Sequence, residues 1–86
     1  MLEFQYTIKD PIGLHARPAG LLVKKIKDTK CNISIENEQG KRADAKKVFS
    51  IMGLGVKNGE TVKVTVDGDN EAEVFEILCS FFEENI

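Results

Sequence analysis

His15 is the only histidine in the 86-residue chain, and it stands in the run Gly13-Leu14-His15-Ala16-Arg17-Pro18-Ala19. A glycine turn leads into it and a helical pattern leads out, so the ring sits where a helix begins. A helix N-terminus presents unpaired backbone amides and about half a positive charge, a ready place for a phosphate. Here those amides are the ones of Ala16 and Arg17, because Pro18 has none to give. Arg17 adds a permanent cation whose guanidinium can fork onto phosphate oxygens. The same positive field favours a neutral ring with a lone pair free to attack. Nucleophile, anion cradle and charge neutraliser thus fall within three consecutive residues. Positioning and electrostatics supply most of the catalysis in phosphoryl transfer, so little more is needed locally.

Other chemistries lack their parts. No second histidine can act as a base, and neither Cys31 nor Cys79 has neighbours that would activate a thiol. With no C-x-x-C pair the chain has too few soft ligands for a tetrahedral zinc site, and no metal or cofactor is expected. The two cysteines read as reduced, half-buried small hydrophobes. Gly53-Leu54-Gly55 is too short for a nucleotide fingerprint, and no G-x-x-x-x-G-K-[ST] loop occurs. Donor and acceptor of any phosphoryl group must therefore be other molecules. The pattern is that of a relay, not of a self-sufficient enzyme.

Length and composition set the frame. The chain has room for one domain, residues 1–86, with 42% apolar residues for a modest core. A formal net charge of −2 argues against a nucleic-acid partner. No apolar run approaches the roughly 20 residues of a membrane span, and Met1-Leu2-Glu3-Phe4 does not open a signal peptide. A soluble cytoplasmic monomer is expected.

The elements that must hold His15 follow from periodicity. Leu2, Phe4, Tyr6 and Ile8 alternate with polar residues, which predicts a strand ended by Asp10-Pro11-Ile12-Gly13. From Ala16 to about Lys27, Ala19, Leu22, Val23 and Ile26 form a helical stripe. Strands are expected at Asn32–Glu36 and near Lys41–Ala45, then a short helix over Lys47–Met52. Val62, Val64 and Val66 mark a fourth strand, and Asp67-Gly68-Asp69 a turn. A last helix is predicted with Asn70 and Glu73 as a capping box and Phe75, Leu78, Cys79 and Phe82 buried. The order β-α-β-β-α-β-α with half-polar strands predicts an α+β fold: an open-faced β-sandwich, an antiparallel four-stranded sheet with helices on one side.

Projection at about 100° per residue places Arg17, Gly20, Leu21 and Lys24 opposite the apolar stripe of the first helix, with Lys27 at the edge. In the second helix Ile51 faces the core while Val48, Phe49 and Met52 point elsewhere, rimmed by Lys46 and Lys47. Basic charge and apolar anchors beside a reactive residue suit docking to an acidic protein partner.

On these residues the sequence resembles the HPr family, the histidine-containing phosphocarriers of the bacterial sugar phosphotransferase system. The likeness covers essentially the whole chain. It is carried by Gly13–Ala19, by Gly40-Lys41 leading into Ala45–Phe49, and by Leu54-Gly55 and Gly59. It implies that phosphorylated enzyme I, charged from phosphoenolpyruvate, phosphorylates His15 on Nδ1, and that the group then passes to enzyme IIA components of sugar permeases. It implies further that Arg17 assists the phosphate, that the second-helix patch docks partners, and that three helices cover a sheet of order 1-4-2-3. Many Gram-positive relatives carry a regulatory serine at the start of the second helix; read without gaps, Lys47 holds that position, so no serine switch is expected. Ser50 would require a three-residue shift. Ile12 replaces a small polar residue usual before the glycine, and Gly20 lowers helix propensity by about 1 kcal/mol against alanine. Both departures point to a paralogue with altered partners, such as a nitrogen-linked or specialised sugar branch.

Two further readings stay open. One is a regulatory module that binds enzymes or transcription factors through the same surface, which intact His15 and Arg17 oppose as a sole role. The other is a small-molecule-sensing α/β domain, supported only by element order, and fold alone does not decide function.

Overall fold

The computed structural model describes residues 1–86. Its elements run β1 (Leu2–Thr7), α1 (Ala16–Ile26), β2 (Cys31–Glu36), β3 (Arg42–Asp44), α2 (Val48–Met52), β4 (Thr61–Gly68) and α3 (Glu71–Asn85). The four strands form one sheet of order β1-β4-β2-β3, and every neighbouring pair is antiparallel. β1 and β2 therefore run the same way with β4 between them, and β3 and β4 do so around β2. The chain is two interlocked split β-α-β units, each crossing over through a helix.

Period-two alternation decides which face the helices cover. Phe4, Val64, Ile35 and Ala43 pair in one row across the sheet, and the last three are buried. The other face carries Glu3, Gln5, Lys63, Glu36, Ser34 and Arg42. There Lys63 lies 3.8 Å from Glu36 and 3.9 Å from Glu3. Such exposed pairs contribute little, about 0–1 kcal/mol. Leu22 and Ile26 of α1, Ile51 of α2, and Leu78 and Phe82 of α3 close the core from the helical side.

Several details depart from the sequence expectation. α3 buries Val74, Leu78, Phe81 and Phe82, while Phe75 and Cys79 are only half-buried. Both sets are legitimate helical stripes one residue apart, and spacing cannot choose between them. Phe75 instead edges against Phe4 at 5.3 Å between ring centroids, at the margin of the sheet. Asn70 does precede α3, but its backbone is left-handed (φ 59°) and its side chain caps nothing, so no capping box forms. An N-cap side chain reaches the helix amides from an extended backbone, which Asn70 does not have.

β4 continues through the expected turn to Gly68, which pairs with Cys31. Gly68 has φ +141°, and a Cβ there would lie 2.9 Å from the Cys31 Cα. Only glycine fits that crossing. Cys31 is fully buried, its thiol donating to the Asp69 carbonyl at 2.9 Å, whereas Cys79 is half-buried; both are free thiols. Burial pushes both thiols above their ordinary titration range.

Candidate functional site

The loop from Ile8 to His15 is stitched to its surroundings by backbone. The Ile8 amide bonds the Glu60 carbonyl, the Gly59 amide bonds the Ile8 carbonyl, and the Leu14 amide bonds the Val56 carbonyl at 3.0 Å. Amides of Lys9 and Asp10 both donate to the Ile86 carbonyl oxygen at 2.8 Å. Leu14, next to the histidine, is plugged into the core. Gly13 adopts φ +88°, and a Cβ there would meet the Val56 oxygen at 2.5 Å. The residue before Leu14 must therefore be glycine for the loop to seat, which fixes where His15 emerges.

His15 occupies the N-cap of α1 with an extended backbone, and its side chain caps no amide. The amides of Ala16 and Arg17 have no carbonyl one turn back inside the helix, and the N-cap side chain does not take them. The imidazole is partly covered and Arg17 is exposed; both line a depression of about 450 Å³ with Asp10, Ile12, Leu21 and Glu84. The depression brings an imidazole and a guanidinium together at the start of α1, with the carboxylates of Asp10 and Glu84 on the same rim. His15 and Arg17, which the sequence singled out, thus border one depression at the start of α1.

Asp10 was legible only as part of a turn. Its Oδ2 lies 3.4 Å from Nε2 of His15, and its Oδ1 accepts the Ile12 amide at 2.9 Å. The expectation of a purely positive field at the ring is therefore corrected: a carboxylate faces the imidazole from the turn that precedes it. The aspartate-to-amide turn itself was the available signal, since Asp before a Pro-x-Gly turn commonly bonds its own backbone two residues on. Glu84 had none, because only the packing of α3 brings it to the rim.

The surface around the site is part apolar and part basic. Ile12, Leu21, Phe49 and Met52 are exposed, Phe49 by 87%. Lys24 on α1, Lys27 at its C-cap and Lys47 at the N-cap of α2 are exposed, the two helices pack together, and Gly20 is half-buried. Two expectations need correction. Val48 is half-buried and packs on the core, since a five-residue helix turns its first residue inward as well as Ile51. Lys46 does not rim the patch: its ammonium bonds the Thr29 carbonyl at 2.6 Å beyond the C-terminal end of α1. Lys47 is the extended N-cap of α2, and Ser50 lies inside that helix with its hydroxyl taken by the Asp44 amide.

Comparison with known proteins agrees with this geometry. A family model described as the PTS HPr component phosphorylation site matches residues 2–84. The phosphocarrier protein HPr of Lysinibacillus sphaericus is 38% identical over 80 residues, covering 93% of this chain and 90% of the relative. The HPr-like protein Crh of Halalkalibacterium halodurans is 36% identical, covering 98% and 99%. A crystal structure of HPr from Thermoanaerobacter tengcongensis superposes with a TM-score of 0.89 at 38% identity, covering 99% of this chain and 94% of that one; a structure of an HPr dimer from the same organism gives 0.74. By the family model that spans residues 2–84, by its relatives and by its sheet order, the chain belongs to the HPr family, the phosphocarriers of the phosphotransferase system.

Proposed function

We propose that His15 accepts a phosphoryl group from phosphorylated enzyme I and passes it to enzyme IIA components of sugar permeases. The observation that carries the reading is the placement of the one histidine at the N-cap of α1, beside Arg17 and the first helix amides. The ring supplies the nucleophile. Arg17 and the amides of Ala16 and Arg17 neutralise the incoming charge, as phosphoryl transfer requires. Gly20, Leu21, Lys24, Lys27, Lys47, Phe49 and Met52, with Val48 contributing its outer edge, form the surface that docks both partners. Residues 1–86 act as one phosphocarrier domain, a cytoplasmic monomer that catalyses nothing without its partner enzymes. Lys47 leaves no serine switch at the start of α2.

The test mixes the protein with active enzyme I, Mg²⁺ and phosphoenolpyruvate, and records intact mass beside a His15→Ala variant. One acid-labile phosphoryl gain, absent from the variant, supports the carrier. No gain in the parent protein sinks it. Likeness to an HPr-like protein named Crh favours one second reading, a regulatory module that binds other proteins through the same surface. That module would bind its target equally well with alanine at residue 15.

A further inference from the structure

Asp10 is held at every polar atom but one. Its amide donates to the Ile86 carbonyl oxygen at 2.8 Å, its carbonyl accepts the Gly13 amide at 2.9 Å, and its Oδ1 accepts the Ile12 amide at 2.9 Å. The remaining atom, Oδ2, lies 3.4 Å from Nε2 of His15. Both side chains are partly covered, at 22% and 30% exposure, so the pair is not freely solvated. Backbone and one oxygen thus fix the turn and leave the other oxygen beside one ring nitrogen, at a separation longer than a formed hydrogen bond. Pairs of this kind are often long before the reacting partner arrives and tighten in the complex.

We propose that Asp10 is the positioning residue of the phosphoryl acceptor: it holds His15 as the Nε2–H tautomer, so that Nδ1 carries the lone pair that attacks. The inference rests on the phosphocarrier reading and adds to it the residue that selects the reacting atom. A neutral imidazole keeps its proton on the nitrogen whose partner accepts it, and a carboxylate only accepts. In the transfer, the Nδ1 lone pair forms the new N–P bond. The bond from phosphorus to the donor atom of the phosphorylated partner breaks, and its electron pair leaves with the donor. The Nε2 proton stays on the ring throughout. The ring gains positive charge as the bond forms, and the Asp10 carboxylate faces that charge.

The deciding experiment reads the ring nitrogens of His15 by long-range ¹H–¹⁵N correlation in the unphosphorylated protein, at alkaline pH where an imidazole is neutral. The parent protein should show the lone-pair shift at Nδ1. Asp10→Ala should move both nitrogens toward the mixed tautomers of free imidazole. Asp10→Asn should go further: its oxygen keeps the Ile12 amide, and its NH₂ then donates to Nε2, favouring Nδ1–H. Amide spectra check that both variants fold, and the isosteric asparagine preserves the turn if the alanine does not. Phosphoryl transfer should slow about 10-fold in the alanine variant and more in the asparagine one. Ring shifts identical to the parent's in both variants would overturn the proposal. A parent protein that takes no phosphoryl group while its tautomer follows residue 10 would instead sink the carrier reading and leave the tautomer assignment standing.

Discussion

α1 and α3 lie across the same face of the sheet and begin in opposite ways. α3 opens with Glu71 and Glu73 in its first turn, so carboxylates answer the positive end of the helix from within the chain. α1 has no acidic residue in its first turn, carries Arg17 there, and makes no side-chain cap at His15. A favourable charge at such a position contributes about 0.3–1 kcal/mol, and α1 forgoes it. The tertiary frame offsets that loss through the wedge of Gly13 against Val56, the buried Leu14, and Ala19 and Leu22 packed in the core. The comparison teaches that α1 begins without an acidic residue of its own, the nearest carboxylate being that of Asp10 in the preceding turn, whereas α3 carries two in its first turn. Under the proposed phosphocarrier reading, the amides and cation at the start of α1 serve an arriving phosphoryl group, while α3 answers its own positive end.

The sharpest way to break this comparison is Gly13→Ala. The left-handed backbone and the 2.5 Å approach to the Val56 oxygen predict a loss of at least about 2 kcal/mol in urea unfolding. A loss below about 0.5 kcal/mol would mean that the frame under His15 is not rigid. Arg17→Ala comes next. It should slow phosphoryl transfer by about 10-fold or more, with stability unchanged within about 0.5 kcal/mol, because the side chain is exposed. Equal transfer rates would remove Arg17 from the site.

A reciprocal pair sharpens the contrast at smaller amplitude. Ala16→Glu should stabilise the protein by about 0.3–1 kcal/mol while slowing transfer, and Glu71→Ala should cost a similar amount. If Ala16→Glu gave no gain in stability, the start of α1 would already be neutralised by something else.

The smallest effect lies at the far side of α3, where Tyr6 of β1 packs edge-on against Phe82 at 5.4 Å. Burial first, and the Glu83 charge second, hold the Tyr6 hydroxyl above its ordinary range. A group whose folded value is raised gives stability that is complete below the unfolded value and is lost as pH rises through the folded one. Stability should therefore decline above about pH 10, and Tyr6→Phe should flatten that limb of the pH profile. An unchanged alkaline limb would show that other groups set it.

Much of this was written in local pattern. Alternation at Leu2–Ile8 and Val62–Val66 marks strands because side chains in a strand change face at every residue. The 3.6 spacing of Ala19, Leu22 and Ile26 marks α1 for the corresponding reason. The candidate site was equally local, since turn, histidine, arginine and helix start are neighbours along the chain. Where two local patterns fit, as with the stripes of α3, the sheet beneath the helix had to choose. At Asn70 a capping signal was present, but a left-handed backbone set by the crossing at Gly68 defeated it.

By itself the sequence determined the order of elements, the polar and apolar faces of the strands and of α1, and the placing of His15 and Arg17 where that helix starts. All of these depend on residues within one or two turns of each other. The tertiary structure alone decided that the Asp10 carboxylate faces Nε2 of His15, that Glu84 reaches the rim, and that Lys46 anchors the end of α1 while Lys47 stays exposed. Those relations join residues through backbone that packs before it is read. A distance of 3.4 Å between two side chains on either side of a turn is set by where the Val56 and Ile86 carbonyls hold the loop, and no spacing rule carries that information.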